Sequence, residues 1–275
     1  MEMKILVTGA DGFLGSNTVR YLKSKGYNVT AYTQDVKHNL PYKTYDVLYH
    51  FAAFVGGRKG IDNNLWNIAE NIEIDRRTFA WAEQFCGKII YPSSCAAYPA
   101  ALQTQVGVPM SEDIPDGEPF DMYGMSKLAA ECMLKQMNIP SHVMRPFTIY
   151  GPGQSMDYPL PSIIARARQG ECSVWGSGTQ IRDYVYIDDA CRVFEYLMHR
   201  EEPIKLNIGS GIPTNFITIA EIIYEQIHGV RMPVQTMTNE PEGAGYRYSD
   251  TTLQASLGLM PEISLEEGIR RMINA

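Results

Sequence analysis

Positive charge is in short supply: 24 lysines and arginines stand against 31 aspartates and glutamates, leaving a net charge of −7. That argues against a nucleic-acid surface, which needs a concentrated basic patch, although a few local arginines can still hold a small anionic ligand. Cysteine is sparse too. Cys86, Cys95, Cys132, Cys172 and Cys191 are scattered and odd in number, with no CxxC pair and no Cys/His spacing suited to zinc. Reduced thiols in a cytosol and no metal site are the expectation. No apolar run approaches the length of a membrane span, and the start, MEMKILVTGADGFLGS, lacks the apolar stretch of a signal peptide. The chain is therefore expected to be cytoplasmic, with no membrane partner. Repeats and low-complexity segments are also missing. What remains is 275 residues, 45% hydrophobic and 20% charged. That is an ordinary globular composition, long enough for one large domain or two small ones.

The order of elements begins to show within the first forty residues. KILVT (4–8) is a short β-branched apolar run and reads as a buried strand. GADGFLG (9–15) follows at once, then SNTVRYLKSKGY as a helix stopped at Gly26, then NVTAYT as a second strand. Strand, glycine turn, helix and strand open a dinucleotide-binding βαβ unit. Gly9 permits the tight turn, Gly12 lets backbone approach a pyrophosphate, and Gly15 lets the helix lie close to the strand, with the helix N-terminus facing the anion. A glycine turn alone is a weak signal; flanked by both a strand and a helix it is a stronger one.

The GxxGxxG spacing resembles the extended short-chain dehydrogenase/reductase family. The resemblance implies an α/β fold: a Rossmann-type doubly wound parallel sheet with a smaller C-terminal substrate-binding lobe. It places the dinucleotide-binding domain at 1–151, with 181–210 returning to it, and the lobe at 152–180 and 235–275. Relatives end their second strand in an acidic residue on the adenosine ribose. Here that place holds Thr33, then Gln34 and Asp35. The arginines by which NADP-preferring members hold a 2′-phosphate are missing, so NAD is the expected cofactor, with NADP left open. The short link from Thr33 to the strand DVLYHFAA (46–53) leaves little room for the usual second helix, so a loop or one turn is expected there. The cofactor-binding residues carried over are Gly9, Asp11, Gly12, Phe13, Leu14, Gly15, Thr33, Ala52, Ala53, Tyr123, Lys127 and Pro146.

In the middle of the chain, HFAAF (50–54) ends a strand where ligands bind in doubly wound folds. VGG is a turn, residues 63–86 read as one helix, and GKIIYPSS (87–94) as the next strand. After a proline-rich loop, DMYGMSKLAAECMLKQM (121–137) forms a helix with Asp121 as N-cap. Tyr123 and Lys127, four residues apart, share one face of it. An ammonium near a phenol stabilises the phenolate, so the tyrosine pKa is expected to fall and the phenol to serve as an acid/base near neutral pH. Met125, Leu128, Cys132 and Met133 form an apolar stripe that is either core or interface. Relatives dimerise through the helices at 63–86 and 121–138, which implies a homodimer.

The segments SHVMRPFTIYGPG (141–153), SVWGSGTQIRDYVYIDDA (173–190) and PEGAGYRYSDTT (241–252) also resemble the family, so the likeness spans almost the whole chain. It implies a nucleotide diphosphate sugar as substrate, with Ser94, Cys95, Thr148, Trp175, Arg182 and Arg247 as its contacts. Thr148 stands where relatives carry asparagine. A guanidinium suits a diphosphate because it donates two parallel hydrogen bonds. Within the nucleotide-sugar epimerases, dehydratases and reductases, VGG, SSC and PEG most resemble GDP-fucose synthase and GDP-mannose 3,5-epimerase.

The stretch YPSSCAAYP (91–99) separates the possible reactions. Relatives that dehydrate or decarboxylate have carboxylates just after the serine; here Cys95, Ala96 and Ala97 follow. The 3,5-epimerases place a thiol two residues before the loop aromatic. Counted back from Tyr98 that position is Ala96, and in extended backbone the neighbouring Cys95 points to the other side. Their partner histidine or lysine is matched by Asp157 or Tyr158. The same count makes Ser94 the catalytic serine, with Tyr123 and Lys127, and leaves Cys95 as packing unless the loop bulges by one residue. The reading is an NAD-dependent nucleotide-sugar epimerase transferring hydride at carbon 4. The alternatives are a nucleotide-4-keto-sugar reductase and, in another class, a dinucleotide-binding sensor without turnover.

Overall fold

The computed structural model describes residues 2–56, 65–104, 106–240 and 243–275. Gly57 of the VGG turn, positions 63 and 64 of the expected helix and the first two residues of PEGAGYRYSDTT lie outside the described residues.

The chain opens with β1 (Lys4–Thr8), α1 (Phe13–Ser24), β2 (Asn28–Tyr32) and β3 (Tyr45–His50). Then come α2 (Leu65–Ala69), α3 (Asn71–Phe85), β4 (Cys86–Pro92), α4 (Met122–Leu134) and β5 (Ser141–Pro146). β6 (Thr148–Tyr150), α5 (Pro159–Arg168), β7 (Ser173–Trp175), β8 (Ile181–Arg182), β9 (Tyr184–Tyr186), α6 (Ile187–His199) and β10 (Lys205–Ile208) follow. The chain closes with β11 (Thr214–Asn215), α7 (Phe216–His228), β12 (Gln235–Met237), β13 (Tyr246–Arg247), α8 (Thr252–Ser256) and α9 (Leu265–Ile273).

Six parallel strands form the central sheet in the order β2-β1-β3-β4-β5-β10. Side chains alternate across it, as strand geometry requires. Ile5, Val7, Val47, Tyr49, Ile90 and Met144 share a core with Leu22 of α1 and Phe194 and Leu197 of α6. Leu6, Leu48, Ile89, Tyr91 and Val143 join Phe79 and Ala82 of α3 and Ala130 and Leu134 of α4 on the other face. Burial on both faces is why these strands read as continuous apolar runs. The doubly wound sheet expected from the sequence is the one found. No helix intervenes between β2 and β3, again as expected. The order therefore reverses between β1 and β3, and a crevice opens at their carboxyl ends.

Four details differ from the sequence reading. α1 starts at Phe13 rather than Ser16, because the helix winds directly out of the glycine turn with Gly12 as N-cap. The expected helix 63–86 is interrupted for one residue at Glu70, where Asn71 gives its side chain to the Phe54 backbone N–H and C=O at 2.7 and 2.9 Å. β4 stops at Pro92, so Ser93 and Ser94 lie beyond the strand. β5 stops at Pro146, and Thr148–Tyr150 leave the main sheet to pair with β9. The stripe of α4, open between core and interface in the sequence, divides: Met125 and Cys132 are exposed, Leu128 is half-buried and Met133 packs against the core beside Ala130 and Leu134.

Outside the main sheet, β7 pairs with β12, and β8 lies between β11 and β13. α5 packs on α7, which also covers β7, and α9 packs on α7 and β9.

Candidate active site

A cavity of about 980 Å³ opens at the carboxyl ends of β1 and β3 and continues past β4 and β5 toward β8. At one end lies the glycine turn. Gly9 has φ +61°, and a Cβ there would press on the Ala52 backbone; a Cβ on Gly15 would collide with the Gly9 carbonyl. Only glycine lets α1 come this close to β1 and β3. α1 has no side-chain cap and no acidic residue in its first turn, so its first N–H groups are free for an anion. Gly9, Asp11, Gly12, Phe13, Leu14, Gly15, Thr33, Ala52 and Ala53 line the cavity here and Pro146 lines it at the end of β5, a run that fits a dinucleotide.

The middle of the cavity is built by the loop after β4 and the first turns of α4. Asp121 caps α4, its carboxylate accepting from the Gly124 N–H at 2.9 Å. A Cβ at Gly124 would collide with the Ala96 carbonyl, so glycine lets α4 seat against the loop that carries Ser94. Ser94, Tyr123 and Lys127 line the cavity together. The Ser94 hydroxyl accepts from the Ala96 N–H at 3.1 Å and lies close enough to Tyr123 and Cys95 to pull both of their pKa values down. Ser93 turns away. It is buried and hydrogen-bonds Glu131, which Arg145 grips with two bonds of 2.8 and 2.7 Å. Both serines line the cavity, but their hydroxyls have different surroundings: that of Ser94 lies by Tyr123 and Cys95, and that of Ser93 belongs to a buried ion-pair cluster.

The expected fall of the Tyr123 pKa is reversed. Burial, reinforced by Tyr158, pushes the phenol above the ordinary tyrosine value, and among the larger causes only the Ser94 hydroxyl pulls it down. Lys127 does not reach the hydroxyl. Its Nζ donates to the Pro92 carbonyl at 2.9 Å and the Tyr91 hydroxyl at 3.2 Å, and stands 5.9 Å from the centre of the Tyr123 ring. Burial pushes the Lys127 ammonium down, opposed by Asp75 and Glu131.

Cys95 packs with Tyr98, Met110 and Phe147, as expected, but it also borders the cavity, which the sequence argument did not anticipate. Residues Cys95–Ala97 form a turn of 3₁₀ helix, so the alternation of extended backbone does not apply, and Cys95 lines the cavity beside Ser94. Burial pushes its thiol up, while Arg247 and Arg182 pull it down. Asp157 and Tyr158 line the same cavity.

Toward the far end stand Thr148, Trp175, Arg182 and Arg247. Arg182 donates to its neighbour's carbonyl at Ile181 (2.7 Å), and Arg247 to Gln103 Oε1 (2.8 Å). Among the described residues neither forms an ion pair, and Arg247 Nη2 is buried without a partner. Burial and the charge of Arg247 push the Arg182 guanidinium down to about 10. Two desolvated guanidiniums side by side are unfavourable alone and favourable around an anion such as a diphosphate.

Several lining residues escaped the sequence reading: Lys37, Phe54, Arg166, Gln180 and Phe216. Lys37 follows β2 and had a signal, a basic residue near the place searched for arginine. Phe54 and Gln180 lie inside HFAAF (50–54) and SVWGSGTQIRDYVYIDDA (173–190), segments already placed near the site though these residues were not singled out, and Arg166 and Phe216 come from segments with no local motif.

A model of the NAD dependent epimerase/dehydratase family matches residues 5–209. GDP-mannose 3,5-epimerase 1 of Oryza sativa subsp. indica is 30% identical over 98% of this chain and 80% of that protein. GDP-L-fucose synthase of Sinorhizobium fredii is 28% identical over 98% of this chain and 93% of that protein. Among solved structures, a mutant UDP-glucuronic acid 4-epimerase from Bacillus cereus, in complex with UDP-4-deoxy-4-fluoro-glucuronic acid and NAD, superposes with a TM-score of 0.84. It is 25% identical and covers 99% of this chain and 98% of that one.

Proposed function

The chain belongs to the NAD dependent epimerase/dehydratase family, and on that premise we propose that it is a nucleotide-sugar 4-epimerase with Tyr123 as acid/base. The observation that carries this reading is the placement of the Ser94–Tyr123 pair in one cavity with the arginine pair Arg182 and Arg247. The glycine turn, Thr33, Ala52, Ala53, Lys127 and Pro146 would hold NAD. Bound there, its nicotinamide supplies hydride acceptance and return at the sugar carbon.

Tyr123 and Ser94 then handle one proton. A phenol kept protonated by burial is ready to donate to a sugar oxygen, and the Ser94 hydroxyl, which favours the phenolate, assists the reverse transfer. Arg182 and Arg247 would clamp the diphosphate, with Trp175 and Thr148 on either side of the sugar nucleotide. In this reading 1–151 with 181–210 hold the dinucleotide, and 152–180 with 235–275 hold the substrate. The exposed Trp66, Ile72 and Met125 on α2, α3 and α4 would meet their copies in a homodimer.

A second reading is favoured by one observation, the Cys95 thiol lining the cavity beside Ser94. It would make Cys95 a proton carrier at carbon 3 or 5, with Asp157 or Tyr158 opposite. The 4-epimerase is preferred because Cys95 stands one position from where the 3,5-epimerases place their thiol. The reductase needs the same Tyr123 chemistry in one direction.

The test is incubation with UDP-, GDP-, CDP- and dTDP-sugars without added cofactor. Interconversion of carbon-4 epimers, abolished in Tyr123→Phe, supports the proposal. Turnover that starts only when NADH or NADPH and a 4-keto sugar are supplied replaces it with the reductase.

A further inference from the structure

Beneath the cavity floor, buried polar side chains from three neighbouring strands converge on one carboxylate. Asp75 of α3 is buried; its Oδ2 accepts from the Tyr91 hydroxyl at 2.9 Å and its Oδ1 meets His50 Nε2 at 3.1 Å. His50 Nδ1 lies 2.8 Å from the Thr8 hydroxyl. On the other side Lys127 Nζ reaches the Tyr91 oxygen at 3.2 Å. Proton directions follow from the groups themselves. An ammonium only donates and a carboxylate only accepts, so the Tyr91 proton must point at Asp75 while its lone pair faces Lys127. His50 likewise donates through Nε2, which in the neutral ring leaves Nδ1 to accept from Thr8.

The charges lead to the same conclusion. Glu131, on the same helix as Lys127, is already held by Arg145 and Ser93. Asp75 has no arginine or lysine in direct contact among the described residues; its only ion-pair partner there is the His50 ring. A buried carboxylate and a buried ammonium both need compensation, and the Tyr91 phenol joins them.

We infer that Asp75 is a positioning residue for Lys127, acting through Tyr91. With the Pro92 carbonyl and Tyr91 taking two N–H groups, the third is left for the cavity that Lys127 lines. The role rests on the proposed reading of Tyr123 and Lys127 as a catalytic pair, but its test does not. The groups that face Lys127 are Tyr91 of β4, Asp75 of α3 and, on its own helix, Tyr123 and Glu131; His50 of β3 faces Asp75.

The experiment is an NMR titration of the full-length chain labelled with ¹⁵N at lysine Nζ, with Lys127 assigned through Lys127→Arg. Asp75→Asn and Tyr91→Phe are each expected to lower the Lys127 midpoint by about one pH unit, and the double variant to fall no further than the larger single effect. A midpoint unchanged in either folded single variant, or single effects that simply add, overturns the inference; the first result would mean that His50 balances Asp75 instead. If Asp75→Asn does not fold, Tyr91→Phe, which removes one oxygen from a ring that stays in place, decides alone. Where the nucleotide-sugar panel finds a substrate, both variants should lower kcat about tenfold with KM unchanged. A wild type without turnover refutes the catalytic reading and leaves the titration result standing.

Discussion

Replacing each of the two adjacent serines by alanine should produce opposite defects. Ser94 has one proton and two lone pairs, and the Ala96 N–H occupies one lone pair at 3.1 Å. What remains faces Tyr123 and the cavity. Ser94→Ala therefore removes one hydrogen bond to the reacting oxygen, a loss on the order of 10²–10³ in kcat, or ~3–4 kcal/mol. Its stability cost is limited to the lost cap on Ala96, about 1 kcal/mol. Ser93 also borders the cavity, but its hydroxyl is committed to the buried Glu131. Ser93→Ala leaves Arg145 bound to Glu131 and removes one charge-assisted bond, about 2 kcal/mol of stability, with kcat nearly unchanged. Steady-state kinetics on the sugar turned over in the panel, with urea denaturation of each variant, reads both quantities. A Ser93→Ala enzyme that folds normally but loses turnover, with Ser94→Ala active, would refute the assignment of the two roles.

Two other outcomes follow from the buried charges. His142 is fully buried, its Nδ1 has no partner, and burial followed by the Lys88 ammonium pushes its pKa down to about 4. From an ordinary 6.5 down to 4 the unfolded chain binds a proton that the folded one refuses, so stability should fall across that window by up to ~3 kcal/mol. Urea titrations at pH 7 and pH 4.5 check this, and a His142→Gln slope equal to wild type would contradict it. Arg247→Gln should raise KM for the nucleotide sugar about tenfold or more while leaving NAD affinity unchanged; isothermal titration with NAD and with UDP or GDP separates the two, and an equal loss for NAD would move Arg247 to the cofactor end.

The parts of the site written in local patterns were legible. GxxGxxG lies within seven residues and YxxxK within one helical turn, so backbone periodicity alone places Gly9, Gly15, Tyr123 and Lys127. The parallel sheet was legible because strands buried on both faces show as apolar runs. Other features depend on residues distant in sequence. The Tyr123 pKa is governed by burial and by Tyr158, which the YxxxK spacing cannot show. The Cys95 side chain faces the cavity because the loop turns as 3₁₀ helix, which the alternation argument did not anticipate. Asp75 meets His50 and Tyr91 across separations of 25 and 16 residues, and no one-dimensional motif joins them.

The most direct test of carbon-4 hydride transfer is to run the reaction in D₂O and analyse the product by mass spectrometry and ¹H NMR. Hydride removed from and returned to the same carbon never exchanges with solvent, so the account predicts an epimerised sugar with no deuterium on any ring carbon. Deuterium at carbon 3 or carbon 5 would contradict it and assign the chemistry to Cys95.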